Sequence, residues 1–122
     1  MGMTRSLVVK VTAGRNDLER CNQALTVAAT GAASGVPVSL WLTGEASWFA
    51  LPGNAQDVGL PHGMPLVKLL TSVLETGTVT LCSQCAARRE ISPDDVVKGV
   101  RIAGAATFLA EVLQDGAQAL VY

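Results

Sequence analysis

Short apolar runs alternate along this chain with stretches in which apolar residues recur every three or four positions. SLVVKVT (6–12) is rich in β-branched residues and precedes such a stretch, and VPVSLWL (36–42) and TVTLC (78–82) repeat the arrangement. No hairpin signal such as Asn-Gly joins two of the runs, and no repeat or linker divides the chain. Because parallel strands need long crossover connections, this alternation predicts a single α/β domain over 1–122 with a mainly parallel sheet.

Each predicted helix is recognised by its ends and by an apolar stripe. The first begins at Asn16, which has the capping-box partner Glu19 three residues on, and ends at Gly35. The second spans 64–77, and the last ends at Gly116. The stripes are, in chain order, Leu18, Cys21, Leu25, Ala28, Ala29 and Ala32; then Leu66, Leu69, Leu70, Val73 and Leu74; then Ile102, Ala105, Ala106, Leu109, Val112 and Leu113. Such spacing places each set on one helical face, so Cys21 is predicted as a core residue.

Three further segments complete the outline. In SPDD (92–95), Ser92 is a helix cap and Pro93 stands at the first helical position, which predicts a helical turn or two. AQALVY (117–122) is predicted as a closing strand. The segment 44–65 is rich in Gly, Pro and Asn, contains EASWFAL as a candidate short helix, and is the longest irregular stretch. Loops of this length in a compact domain are usually functional or mobile.

The composition limits the classes of molecule with which the protein is expected to associate. Nine Lys and Arg residues face ten Asp and Glu residues, and no basic run is present, which argues against nucleic acid as a partner. Hydrophobic residues make up 49% of the chain and 21–44 carries no formal charge, but polar residues, glycines and a proline interrupt that stretch, so no membrane span is predicted. The apolar excess instead predicts a sheet covered on both faces and subunit surface buried in an oligomer.

Two of the three cysteines, Cys82 and Cys85, form a CxxC pair at the end of the predicted strand 78–82. An odd number of cysteines and no signal peptide predict a cytoplasmic protein, where such a pair is more often catalytic or metal-binding than structural. Chemistry in open parallel sheets gathers beyond the carboxyl ends of the strands. There Cys82 is expected near unpaired backbone N–H groups, with Arg88 and Arg89 further on, and these features stabilise a thiolate. Inert thiols and a metal site are the alternatives.

The metal alternative has too few ligands. A closed structural zinc site needs four, yet Cys21 is a predicted core residue and His62 is the single histidine, in a loop, so no metal site is predicted. No cofactor is predicted, because the chain lacks GxGxxG, GxxxxGK[ST], GxSxG and HExxH. Glu45 and Asp57 are interpreted as solvated loop acids. Trp41 is expected in the core, whereas Trp48 and Phe49 suit the wall of a pocket or an interface.

The order of elements and the segment VTLCSQCAARREI (79–91) resemble the DsrE/DsrF-like (YchN-like) family, which includes sulfur-relay proteins of tRNA thiolation and of dissimilatory sulfur metabolism. The resemblance covers nearly the whole chain, from the first strand and the alanine-rich helix to the final GVRIAGAATFLAEVLQDGAQALVY. The family pattern has a cysteine at the end of the third strand and a basic pair several residues later. Cys82 and Arg88–Arg89 take these positions, and Glu90 stands where a glycine is common.

We therefore expect a three-layer α/β fold, flavodoxin-like in plan, with a mainly parallel sheet of four to five strands. The resemblance implies a persulfide-carrying cysteine at Cys82. Cys85 lies outside the minimal motif of the relay members and is assigned as a resolving partner, with Arg88, Arg89 and Trp48 as substrate-binding residues. Family members assemble as trimers or hexamers, so the resemblance also implies a homo-oligomer that exchanges sulfur with donor and acceptor proteins.

Two functions stay open at this point. The first is a small cytoplasmic sulfur carrier or thiol-redox protein, with sulfurtransferase or sulfur-relay activity, in which Cys82 is the nucleophile. The second is a non-catalytic oligomeric binding module whose strand-end pocket holds a small ligand or a partner's tail. Loss of sulfur loading on substitution of Cys82 distinguishes the first function from the second.

Overall fold

The computed structural model describes residues 5–122, so the first four residues of the predicted domain lie outside the described part. Five strands and four α-helices follow one another in the order β1 (Ser6–Val11), α1 (Leu18–Ala33), β2 (Val38–Leu42), α2 (Leu66–Thr76), β3 (Thr78–Cys82), α3 (Ser83–Arg88), β4 (Val100–Ala103), α4 (Ala105–Val112) and β5 (Ala117–Val121). Short 3-10 helices occupy Arg15–Asp17, Gly44–Ala50 and Pro93–Asp95. No α-helix within 5–122 is both long and apolar enough to cross a membrane.

The five strands form one sheet in the order β4-β3-β2-β1-β5, and every pair of neighbours is parallel. The predicted three-layer, flavodoxin-like α/β fold is confirmed. Parallel neighbours cannot be joined by a tight turn, so the chain crosses a face of the sheet between one strand and the next. The register places Cys82, the last residue of β3, beside Ala103, the last residue of β4.

The main core lies between one face of the sheet and the pair α1 and α2. Inward-facing strand residues such as Val9, Leu40 and Leu81 are fully buried there, against Leu25 of α1 and Val73 of α2. The helix face of α1 is largely alanine: its buried residues are Cys21, Ala24, Leu25, Ala28, Ala29 and Ala32. Small side chains let the helix lie close to the sheet, where burial of apolar area supplies the main favourable term of folding.

The opposite face is covered by α4, which must cross the sheet because it links β4 at one edge to β5 at the other. Trp41 is buried on this face, as expected, and packs edge-on against Phe108 of α4 with ring centroids 5.3 Å apart. Its indole N–H donates to Glu111 of α4 at 2.9 Å. A single helix covers less than the paired helices do, and α4 has no fully buried residue.

Two sequence predictions about element ends were wrong. Ile102 lies in β4 rather than in the last helix, because Val100–Ala103 pairs with β3 and so satisfies its backbone groups in the sheet. The first helix is capped by Asp17, whose carboxylate accepts from Arg20 N at 3.2 Å. The expected cap, Asn16, instead accepts from the N–H of Gly14 at 2.9 Å. At the second predicted cap, Ser92, the prediction was correct, since Ser92–Asp95 forms a capping box, although only a single 3-10 turn follows.

Candidate functional site

The thiol pair lies where β3 runs directly into α3, with no connecting loop. Cys82 ends the strand in an extended conformation and serves as the N-cap residue, so Cys85 falls in the first turn of the helix. Side chains alternate across a strand, which puts Cys82 on the α4 face and its neighbour Leu81 in the main core. Cys82 is half-buried, Cys85 is buried, and both are free thiols.

Cys82 lines a small cavity at the carboxyl ends of the central strands. The cavity has a volume of about 140 Å³ and lies under the first turns of α4. Its walls include Lys10 of β1, Trp41 of β2, Gln84 of α3 and Phe108 of α4. Cys85 is not among the lining residues, so Cys82 is the thiol that a small molecule in this cavity meets.

Cys85 points away from that cavity, toward the turn that follows β2. The N–H of Gly44 donates to its sulfur at 3.3 Å. Burial alone raises the pKa of the Cys85 thiol, but the hydrogen bond from Gly44 N–H, the neighbouring Cys82 and Ser47 side chains and the positive charge of Arg89 together outweigh it and lower the pKa below its usual value. Ser47 is fully buried beside this sulfur, and within the described residues its hydroxyl forms no hydrogen bond of normal geometry.

A glycine is required at position 44 by the backbone of the turn. Gly44 has φ +53°, in the left-handed region, and a Cβ added to it would stand 2.5 Å from the carbonyl oxygen of Thr12. The turn is thus pressed against the end of β1, and Thr43 strengthens it by donating to the carbonyl of Val11 at 2.8 Å. This close approach aims the Gly44 N–H at Cys85.

The two arginines of the predicted site have different surroundings. Arg89 lies over the ring of Trp48 at 5.8 Å, forms an ion pair with Glu45 at 2.8 Å, and donates to the carbonyl oxygen of Cys85 at 3.2 Å. The Arg89 hydrogen bond is the first cause of the lowered pKa of the Glu45 carboxyl. Arg88 is exposed and has no side-chain hydrogen bond or ion pair in the described part of the chain. The structure therefore brings Cys82, Cys85, Arg89 and Trp48 together and leaves Arg88 outside.

Three site residues escaped the sequence analysis: Lys10, Gly44 and Glu45, the last expected to be a solvated loop acid. The sequence held a signal for two of them, because Lys10 is the single charged residue in β1 and Gly44 stands two residues after the end of β2. Glu45 pairs with Arg89, which lies 44 positions further along the chain, and no local sequence pattern indicates such a contact.

The remaining candidates lie elsewhere. Cys21 is completely buried, which confirms its assignment to the core, and burial with the nearby charge of Asp17 raises the pKa of its thiol to about 12. His62 and Asp57 are exposed loop residues with positive φ. Within 5–122, no three His, Cys, Asp or Glu side chains are grouped closely enough to hold a metal ion.

An all-parallel α/β sheet with a free thiol pair at the carboxyl end of a strand defines a class of small α/β thiol proteins. A model of the DsrE/DsrF-like family matches residues 5–122. The chain therefore belongs to the DsrE/DsrF-like family, as its sequence resemblance indicated. No curated protein matches the chain in sequence.

Solved structures share the fold at low sequence identity. The YchN protein of E. coli superposes with a TM-score of 0.79 at 23% identity, over 98% of this chain and 100% of that one. A protein of unknown function from Methanobacterium thermoautotrophicum gives 0.70 at 11% identity, over 97% and 99%. A conserved protein of unknown function from Bacteroides thetaiotaomicron gives 0.60 at 18% identity, over 100% of both chains. At these identities the similarity concerns the fold alone.

Proposed function

We propose that this protein is a small sulfur carrier in which Cys82 holds sulfane sulfur as a persulfide and Cys85 resolves it. One observation carries the proposal: Cys82 lines the strand-end cavity, while the neighbouring Cys85 sulfur is turned inward onto a backbone N–H. Family membership supports a thiol-related role in sulfur relay. The odd number of cysteines supports a reducing, cytoplasmic location.

Loading proceeds by thiol–disulfide-type exchange. The Cys82 thiolate attacks the sulfane sulfur of a donor, a new S–S bond forms at Cys82, and the donor's own S–S bond breaks, its leaving sulfur keeping the electron pair. In the resolving reaction, the Cys85 thiolate attacks the Cys82 sulfur. The bond to the outer sulfur then breaks, hydrosulfide leaves with the electron pair, and a Cys82–Cys85 disulfide remains for a dithiol reductant to reopen.

Intact-mass analysis after exposure to a sulfane-sulfur donor tests the proposal. Wild type should gain about 32 Da, one sulfur atom, and lose it on reduction. Cys82→Ser should abolish the gain, and Cys85→Ser should keep the gain and prolong its lifetime. Cys21→Ser is the matched control, because its thiol is buried in the core and should not affect loading. Equal loading of wild type and Cys82→Ser would refute the sulfur-carrier role and favour an oligomeric binding module that uses the same cavity without thiol turnover.

We further propose that the protein is a homotrimer or a hexamer. Large apolar side chains are exposed on neighbouring elements of the chain: Leu109 of α4 is 55% exposed, Leu113 at the C-cap of that helix is 71% exposed, and Val121 of β5 is 65% exposed. A patch of this kind is typical of a surface that another subunit covers. Light scattering should give a mass of three or six chains, and Leu113→Gln should shift it toward one chain. A wild-type monomer at micromolar concentration would contradict the proposal.

A further inference from the structure

We infer that the cavity at Cys82 is a small oxyanion site, and that the sulfur acceptor it serves is a sulfur oxyanion of the sulfite class. The inference rests on the sulfur-carrier function proposed above and names the acceptor of that function. Three observations meet at the cavity: a lysine without a carboxylate partner, the N-terminus of a helix, and a volume that is small for a ligand pocket.

Lys10 supplies the charge. It is half-buried at the carboxyl-terminal part of β1 and lines the cavity that Cys82 also lines. Its ammonium group lies 5.1 Å from the centroid of the Phe108 ring, which fixes it against the wall formed by α4. Within the described residues Lys10 takes part in no ion pair, and none of the residues lining the cavity is acidic. An ammonium group in such a place attracts an anion.

The start of α4 adds to this attraction. Ala105 is both the first residue of α4 and part of the cavity wall. The first N–H groups of a helix have no partner within it, and the helix dipole places partial positive charge at that end. The backbone bonds at this end begin with Thr107 and Phe108, which both donate to the carbonyl of Gly104. The N–H groups before them are therefore directed toward the end of the helix that the cavity adjoins.

The volume restricts the ligand. The cavity volume of about 140 Å³ is small beside the roughly 300–1,000 Å³ of ordinary ligand pockets. A small oxyanion such as sulfite fits within this space, whereas most of a tripeptide thiol or a nucleotide would lie outside it. Gln84, an exposed residue at the cavity wall, offers an amide that can donate to an oxyanion.

The chemistry also requires positive charge at this place. Sulfite attacks the outer sulfur of the Cys82 persulfide with its sulfur lone pair, and a new S–S bond gives thiosulfate. The bond between that outer sulfur and Cys82 breaks, and the electron pair stays on Cys82 as thiolate, so atoms, charge and electrons balance. Both reactants are negatively charged at neutral pH. Lys10 and the start of α4 would offset the repulsion as they approach.

Two measurements test the inference. In the first, wild type and Lys10→Met are loaded with sulfur from a neutral dialkyl trisulfide. The Cys82 thiolate takes the central sulfur as one alkylthiolate leaves, and that alkylthiolate then removes the other alkylthio group as dialkyl disulfide, so that the Cys82 persulfide remains. The decay of the persulfide is followed by intact mass with and without sulfite. Sulfite should discharge wild type with formation of thiosulfate, and Lys10→Met should slow this discharge by about tenfold or more, the usual effect of losing a charged hydrogen bond. Lys10→Arg should retain most of the rate. The control Lys68→Met removes an exposed lysine of α2 and should have no effect.

In the second, sulfate binding to Cys82→Ser is measured by calorimetry at constant ionic strength, because sulfate has the oxyanion groups but no reactive sulfur. Cys82→Ser should bind sulfate, and Cys82→Ser/Lys10→Met should bind it at least about tenfold more weakly. Equal discharge rates of wild type and Lys10→Met, or no binding of sulfate to Cys82→Ser, would overturn the oxyanion site. Failure of wild type to load from the trisulfide would count against the sulfur carrier instead, and the calorimetric result would still decide the anion site.

Discussion

Replacement of Gly44 by alanine should damage both the fold and the thiol site, because one turn serves both. Gly44 has φ +53°, and an added Cβ would stand 2.5 Å from the Thr12 carbonyl oxygen. The left-handed conformation costs an L-residue roughly 1–2 kcal/mol. Relief of the overlap must also move the Gly44 N–H off the Cys85 sulfur, and a hydrogen bond contributes about 1 kcal/mol. The expected loss of unfolding free energy is therefore about 2–3 kcal/mol.

Urea denaturation measures this loss, and thermal denaturation gives a second estimate. For a chain of 122 residues each kcal/mol corresponds to about 4 °C in Tm, so Gly44→Ala should lower Tm by roughly 8–12 °C. Gly53→Ala is the matched control. Gly53 lies in the same connection with φ +83°, but no atom stands within 4 Å of its added Cβ, so only the conformational cost applies.

The Cys85 thiol gives a second readout for Gly44→Ala. Loss of the Gly44 N–H should raise the pKa of Cys85, since that hydrogen bond is among the causes of its lowered pKa. Thiolate absorbance against pH, measured in a background of Cys21→Ser and Cys82→Ser, reports it. If Gly44→Ala is no more destabilising than Gly53→Ala and leaves the Cys85 titration unchanged, the turn does not support the site as argued.

Two further predictions concern stability. Glu90→Gly should stabilise the protein by about 1 kcal/mol, because Glu90 follows the C-cap residue of α3 with φ +55° and glycine adopts this conformation without strain; Tm should rise, and Glu90→Ala should give no such gain. Glu111→Gln should destabilise by about 1–3 kcal/mol at neutral pH, because the Glu111 carboxylate accepts from Trp41 and pairs with Arg101 beneath α4. Burial raises the pKa of Glu111, but the hydrogen bonds lower it by more, so the pKa is lower in the folded state than in the unfolded chain. The stability that Glu111 contributes is therefore present above the unfolded pKa and is lost as pH falls through the folded pKa. Urea midpoints of wild type and Glu111→Gln should therefore converge in acid, and a gap that persists there would refute the ionic origin of the effect.

The sheet could be predicted from the sequence because each strand is encoded by residues that follow one another. The run 6–12 and the run 78–82 are β-branched or apolar, and helical stripes separate them from their neighbours. The short strand β4 was missed because Ile102 also continues the apolar spacing of α4. Its strand conformation is decided by hydrogen bonds with β3, about twenty residues earlier, and local spacing does not report that pairing.

The site could be predicted only in part, for the same reason. Cys82 was placed correctly at the end of a strand, because the chain order alone puts it there. The contacts that define the surroundings of Cys85 join it to Gly44, 41 residues away, and Arg89 to Glu45. Arg88 and Arg89 are adjacent near the end of a helix, so they point in directions about 100° apart. Only the packed structure decides which of the two faces the thiol pair.

The different surroundings of the two thiols assign them different roles in the proposed cycle. The buried Cys85 has the lowered pKa, and it does not line the cavity. A donor in the cavity therefore reaches Cys82 first, even though the Cys85 thiolate is the one favoured by its neighbours.

Release of sulfur as a disulfide, in contrast, needs the Cys85 thiolate, so the lifetime of the Cys82 persulfide should shorten as pH rises through the Cys85 pKa. Arg89→Met removes a positive charge that lowers this pKa and should move the transition to higher pH, whereas Arg88→Met should leave it in place. Equal shifts from the two variants in a pH series of persulfide lifetimes would show that overall charge, not the position of Arg89, sets the release.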